Sequence, residues 1–215
     1  MSRCILLLLV LCCPLPEAIA ACRVLVLGDS LSAAYGIDPR EGWVALLEAR
    51  LRDREPPCEL VNSSIPGETS AGGLARLDRA LERFSPTIVL IELGANDGLR
   101  GLPPGRLRAN LEAMIRKVRR HGALPVLIGV RLPPNYGPAY REAYSAVYLQ
   151  VADRMEVPLV PRLLEGVGER LELMQGDGLH PRAQAQPRIL DNVWRVLEPL
   201  LPPSPRQATA AVPRA

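Results

Sequence analysis

The chain of 215 residues is poor in the side chains that commonly hold metals or move protons. It has two histidines, His121 and His180, and a single lysine, Lys117, among 26 basic residues. Neither an H-E-x-x-H run nor paired C-x-x-C motifs occur, which argues against a zinc site. Asp29, Asp97 and Asp177 could share a hard cation, but the further clustered carboxylates of metal-assisted hydrolysis are missing, so no metal is expected. Without a G-x-G-x-x-G run there is no signature of a dinucleotide, and no cofactor is expected. The formal net charge of +3 is small and spread along the chain. It forms no basic stripe, so nucleic acid is not an expected partner. The one sustained apolar run is shorter than the roughly 20 residues a permanent membrane helix needs.

What is present begins with an export signature. Arg3 precedes the apolar Ile5–Cys13, and Ala18-Ile19-Ala20 reads as a small-residue cleavage site. Pro14 and Pro16 oppose a buried first helix. Residues 1–20 are therefore expected to be a signal peptide cut near Ala20, leaving a periplasmic or secreted protein. Ile19-Ala20-Ala21-Cys22 also resembles a bacterial lipobox, which would anchor the chain through a lipid on Cys22. Glu17, and the lack of any tether before the first strand, count against that alternative. The mature chain keeps Cys22 and Cys58, at the starts of "CRVLVLG" and "CELVNS". In an oxidising compartment an even pair invites a disulfide; two separate buried thiols are the alternative.

Hydrophobic content of 48% and charge of 23% suit one medium globular domain, expected over residues 21–201. Five apolar segments read as strands: Arg23–Leu27, Glu59–Asn62, Thr87–Leu93, Leu124–Val130 and Val157–Val160. Their near-continuous Val, Ile and Leu suit strands buried on both faces of a parallel sheet. Helical patterns alternate with them, over about Gly42–Arg54, Ser70–Phe84, Gly105–Arg120, Pro138–Met155 and Ala183–Leu200. This order predicts a doubly wound α/β fold, a three-layer α/β/α sandwich on a five-stranded parallel sheet. The segment "PPSPRQATAAVPRA", residues 202–215, lacks periodicity and is expected to be a disordered tail.

Open sheets of this kind bind ligands beyond the carboxyl ends of their strands. Those ends deliver Asp29 and Ser30, then Asn62 and Ser63 before Pro66 and Gly67, then Gly94, Asn96 and Asp97, then Arg131. Asp177 and His180 follow the fifth strand. His121 reads as a helix-terminal capping residue. His180, in "GDGLHP", has no such role. Serine is a weak nucleophile that needs a base, histidine supplies one near neutral pH, and a carboxylate can orient it. Ser30, His180 and Asp177 fit those parts. Backbone N–H groups of Ser30 and Gly67, with the Asn96 amide, are candidate oxyanion donors.

"GDSLSAAYG", "NSSIPGETSAGGLARL", "LGANDGLRG" and "GDGLHP" together resemble the four blocks of the GDSL, or SGNH, hydrolases, with Ser30, Gly67, Asn96 and His180 in the name-giving positions. "RLPPNYGPAYREAYSAVY" resembles the bacterial periplasmic thioesterase I/lysophospholipase/arylesterase group, so the similarity runs from about Arg23 to Leu200. The resemblance implies a flavodoxin-like sandwich and cofactor-free hydrolysis of acyl esters and thioesters through an acyl-enzyme on Ser30. It also implies a mobile Gly98–Leu102 loop beside an acyl groove, with Gly98, Leu99, Leu102, Leu132 and Pro133 as substrate-binding residues. Lysophospholipids, aryl esters and fatty acyl thioesters are the implied substrates, with transient contact to membrane lipid. Pro66 departs from the family pattern but leaves the Gly67 N–H in place.

Two other functions compete. A non-catalytic sugar- or phosphate-binding module would use Ser30 only as a helix cap. A carbohydrate O-acetylesterase would favour acetyl, whereas Leu99, Leu102 and Leu132 suggest longer chains. No apolar interface signature stands out, so a monomer is expected.

Overall fold

A computed structural model of the chain describes residues 22–203. The expected signal peptide and all but the first two residues of the expected tail lie outside the described residues. Short apolar runs become parallel strands: β1 (Arg23–Gly28), β2 (Glu59–Asn62), β3 (Ile88–Glu92), β4 (Leu124–Ile128) and β5 (Leu159–Val160). They form one sheet in the order β2-β1-β3-β4-β5. Val24–Leu27, Val89–Ile91 and Val126–Ile128 are completely buried, each such side chain contributing about 1.5–3 kcal/mol of burial free energy. Helices α1 (Trp43–Arg52) and α6 (Gln186–Leu197) pack together on one face. Helices α2 (Ser70–Phe84), α4 (Pro104–Arg120) and α5 (Pro138–Met155) pack side by side on the other. A short α3 (Ala95–Leu99) follows β3 directly. The sandwich and its five-stranded parallel sheet are as expected from the alternation of patterns.

Three details differ from the sequence reading. β2 is an edge strand and only partly buried, so its four residues need not be apolar on both faces. β5 pairs over two residues, because Pro158 and Pro161 flank them and supply no N–H to the ladder. The helix that Ser30 would cap in the competing binding-module reading is not there: residues 30–36 form a series of turns, with Ala34 (φ 57°) and Gly36 (φ 76°) in the left-handed region. Ser30 therefore caps no helix and receives no help from a helix dipole.

A disulfide joins Cys22 and Cys58 at the starting ends of the paired β1 and β2, where Arg23 lies beside Glu59. The two cysteines are thus joined, and are not two separate buried thiols. His121 is the exposed C-cap of α4, with Nδ1 3.1 Å from the Lys117 carbonyl, and Gly122 (φ 75°) ends the helix.

Candidate active site

Strand order reverses at β1, so the ends of β1 and β3 open a crevice with a helix layer on either side. Asp29 leaves β1 completely buried. Its Oδ1 accepts the Leu31 N–H at 3.0 Å and its Oδ2 accepts the Asn96 amide at 3.0 Å. The Asp29 carbonyl accepts from Ala33 and the Ser30 carbonyl from Tyr35. This tight turn fixes Ser30 with its hydroxyl free of local partners and facing a second loop.

That loop carries Asp177 and His180. His180 Nε2 lies 2.9 Å from Ser30 Oγ, and His180 Nδ1 lies 2.6 Å from Asp177 Oδ2. Asp177 Oδ1 also accepts the N–H groups of Leu179 and His180 at 2.9 and 3.0 Å, so the carboxylate folds back under the imidazole. Partial burial pushes the Asp177 carboxyl upward. Hydrogen bonds from the His180 ring and the two backbone N–H groups, with the charge of His180, outweigh it and bring the pKa down to about 2. Asp177 is thus ionised wherever histidine can act as a base.

Gln175 ties the two loops together. Its side-chain amide donates to the carbonyls of Tyr35 at 2.8 Å and Pro181 at 3.1 Å. Gly36 is glycine because its φ of 76° lies in the left-handed region, and the Gln175 amide packs close against it. The Tyr35 ring then lies 4.6 Å from the His180 ring, centroid to centroid.

Gly67 has φ 78°, which explains its lack of a side chain better than crowding does, since a Cβ there would meet nothing within 4 Å. Among the described residues, neither the Ser30 nor the Gly67 N–H is used in a hydrogen bond. Arg76 holds the loop on both sides of Gly67, through Ser63 and Glu68, and Arg100 donates to the Gly67 carbonyl at 2.9 Å. Asp97 accepts the Ser70 N–H at 2.7 Å and its hydroxyl at 2.5 Å. It locks α3, which carries Asn96, to the start of α2. Asn62 does similar work, donating to the Ser32 carbonyl at 2.9 Å.

Ser30, Gly67, Asn96 and His180 all border one cavity of about 760 Å³. Of the expected substrate residues, Leu99, Leu132 and Pro133 line it. Gly98 and Leu102 do not. Gly98 is buried behind Leu132, whose Cδ2 would sit 2.4 Å from an added Cβ. Leu102 turns its carbonyl to the Tyr140 hydroxyl at 2.8 Å. Tyr136 donates to the Leu99 carbonyl at 2.9 Å, so two tyrosines hold the Gly98–Leu102 loop. Sequence reasoning missed Tyr35, Met174 and Leu179 in the lining; Tyr35 stands inside the "GDSLSAAYG" block and was the one with a usable signal.

Comparison with known proteins places this geometry. The profile of the GDSL-like Lipase/Acylhydrolase family matches residues 26–187. The chain is 54% identical over 187 residues to "Esterase TesA" of Pseudomonas aeruginosa, covering 87% of this chain and 93% of that protein. It is 44% identical over 185 residues to "Thioesterase 1/protease 1/lysophospholipase L1" of Escherichia coli (strain K12), covering 86% and 88%. The crystal structure of TesA superposes with a TM-score of 0.81 at 55% identity, covering 83% of this chain and 99% of that one. A match over most of the domain, with such identity, settles the class: the chain belongs to the GDSL-like lipase/acylhydrolase family and is an ester hydrolase of the GDSL type.

Proposed function

We propose that the protein hydrolyses medium- and long-chain acyl esters and thioesters through an acyl-enzyme on Ser30. The observation that carries this reading is the unbroken chain Ser30 Oγ–His180 Nε2–Asp177 at 2.9 and 2.6 Å on the wall of a largely apolar cavity. His180 Nε2 takes the hydroxyl proton as Oγ attacks the acyl carbon. Asp177 holds the ring so that Nε2 faces the serine and stabilises the imidazolium. The N–H groups of Ser30 and Gly67 and the Asn96 amide receive the oxyanion; one such donor is worth about 2.7–4 kcal/mol in the transition state. The imidazolium then gives its proton to the leaving oxygen or sulfur. Water, activated by the same histidine, releases the acid.

The acyl chain lies along Leu99, Leu132 and Pro133. A cavity of about 760 Å³ exceeds what an acetyl group fills, which favours longer chains over a sugar O-acetylesterase. The module that would need Ser30 as a helix cap loses its support, since turns follow β1. The Cys22–Cys58 disulfide supports export to an oxidising compartment, in keeping with a cleaved signal over residues 1–20.

The test is hydrolysis of p-nitrophenyl esters from acetyl to palmitoyl by the wild-type protein and by Ser30→Ala. The expected outcome is a rate rising from acetyl to medium chains and a loss of about 10⁶-fold in kcat for the variant. Equal rates for the two proteins would remove Ser30 as nucleophile, and a preference for acetyl would remove the long-chain reading.

A further inference from the structure

Behind Asp29 lies a second carboxyl group that the reaction above does not use. Glu92 ends β3 directly beside Gly28 of β1, and both Glu92 and Asp29 are completely buried. Glu92 Oε2 accepts the Ser32 hydroxyl at 2.7 Å and the Asp29 N–H at 3.3 Å. Glu92 Oε1 has no hydrogen-bond partner among the described residues, and the contact of Oε2 with the Asp29 N–H makes the two buried carboxyl groups neighbours. A buried carboxylate oxygen without a donor is costly, and two adjacent buried carboxylates cannot both ionise cheaply. Burial is the main cause that raises both groups, Glu92 well above the usual carboxylate range and Asp29 to about 6. The asymmetry has a visible origin: Asp29 accepts N–H donors on both oxygens, from Leu31 and Asn96, and feels the charge of His180. The charge therefore belongs on Asp29.

We infer that Glu92 keeps a proton on Oε1 and donates it to the Asp29 carboxylate, and that this pair is a positioning device which holds the Asn96 amide with its nitrogen toward the oxyanion. The inference rests on Asn96 being an oxyanion donor, as proposed above. An amide beside an ionised carboxylate has one good orientation, with N–H toward the charge. That leaves its second N–H for the substrate oxygen. If the neighbour could donate instead, the amide would be equally content reversed, presenting a carbonyl oxygen to a developing negative charge. The pair also accounts for two motif residues. Gly28 leaves room, since a Cβ there would stand 2.9 Å from Glu92 Oε2, and Ser32 supplies the donor that fixes Glu92.

The experiment is a double-mutant cycle on Asp29→Asn and Asn96→Ala, reading kcat and KM on p-nitrophenyl esters, with melting temperature as a control. Asn96→Ala should lower kcat by about 10²–10³-fold. Asp29→Asn offers one oxygen to the three donors of Leu31, Asn96 and Glu92, so it should lower kcat by at least about tenfold with little change in KM. In the Asn96→Ala background the same change should cost less than about threefold, because its only route to the chemistry is already gone. Melting serves as the control for folding: removing the buried charge at equal volume offsets part of the cost of the donor left without an acceptor, and kcat is compared only on protein that melts cooperatively. Equal losses in both backgrounds, or Asp29→Asn at the wild-type kcat, would overturn the positioning role. A wild-type kcat for Asn96→Ala would instead remove Asn96 from the oxyanion site and end the inference with it. The pair Glu92→Gln and Glu92→Leu gives a second reading: the amide can still donate to Asp29 and should recover most of what leucine loses, and equal losses would count against the donated proton.

Discussion

Asp29 and Asp177 both serve the neighbourhood of Ser30, from opposite kinds of ground. Asp29 stands at the end of a central strand, completely buried, with Glu92 beneath it. Asp177 stands in a solvent-facing loop that contributes no strand and whose shape comes from hydrogen bonds within four residues. Burial raises the first to about 6, while donated hydrogen bonds bring the second down to about 2. The same side chain thus becomes a proton-sensitive part of the floor or a permanent anion under a base, according to solvent and donors alone. The floor is built by the hydrophobic core. The loop is built by local polar bonds and is tied through Gln175 to the turns that carry Tyr35.

The strongest way to break this contrast is at the loop. Asp177→Asn should lower kcat by about 10⁴-fold, because an amide no longer fixes the ring with Nε2 as the base. Its melting temperature should fall modestly near neutral pH, where the hydrogen bonds of the ionised carboxylate stabilise the loop. A loss below tenfold in the p-nitrophenyl ester assay would mean that the ring is positioned by Tyr35 and the loop backbone instead.

Next in size is a test of what makes the floor firm. The disulfide spans a sequence separation of 36 residues, for which the chain-entropy account gives about 3–4 kcal/mol. Replacing Cys22 and Cys58 by serine should lower the unfolding free energy in urea by that order. It should leave kcat near wild type, because the bridge lies at the start of β1 and Ser30 follows its end. If kcat fell with stability, the core alone would not be what holds Ser30 in place.

The two carboxylates should also differ in how stability depends on pH. Asp29 has a folded pKa near 6 against 3.8 unfolded. The folded state therefore binds the extra proton between those values, and stability falls as pH rises through that window. Asp177 has a folded pKa near 2 against 3.8 unfolded. Its contribution is present above about 4 and is lost as pH falls toward 2. Melting curves from pH 3 to 7 should show Asp29→Asn gaining most over wild type at the upper end of the range and Asp177→Asn differing from wild type least at the lower end. Parallel curves for all three proteins would contradict the assignment.

How much of this was legible in the sequence follows the same division. The floor announced itself: the runs Val24–Leu27 and Val89–Ile91 are too apolar to be anything but buried strands, and the polar residues just past them mark the crevice. Ser70–Phe84 was readable to the residue because a one-sided apolar pattern starts just after Thr69, and Pro138–Met155 because Gly137 and Pro138 mark its start. The turns after β1 were not readable, since "SLSAAYG" carries helix-compatible residues and its carbonyls are held by side chains distant in sequence, Trp43, Asn62 and Gln175. Glu92 was hidden for the opposite reason. A single acidic residue at a strand end looks like a solvent-facing terminus until the sheet register places it against Gly28 and Asp29. Gly98 and Leu102 were misjudged because a loop's sequence does not say which side chains turn to the cavity and which carbonyls turn to Tyr140.

The smallest expected effect separates the two sides of the substrate. In the acylation proposed above His180 would give its proton to the leaving group, which would place that group beside the imidazole, on the loop side of the site. Tyr35 is half exposed there and tilted at 41° over His180. An aromatic leaving group can pack on its ring, an interaction of about 0.5–1.5 kcal/mol, whereas an alkyl leaving group gains less. An acyl chain lying along Leu99 and Leu132, as proposed above, should be indifferent to Tyr35. Tyr35→Ala should therefore lower kcat/KM for phenyl esters relative to methyl esters of the same acid by about 2–10-fold. The dependence on acyl length within either series should stay as it is. An equal fall for both leaving groups would make Tyr35 a support for His180; a changed chain-length profile would put the acyl group on the loop side and reverse the orientation of the substrate.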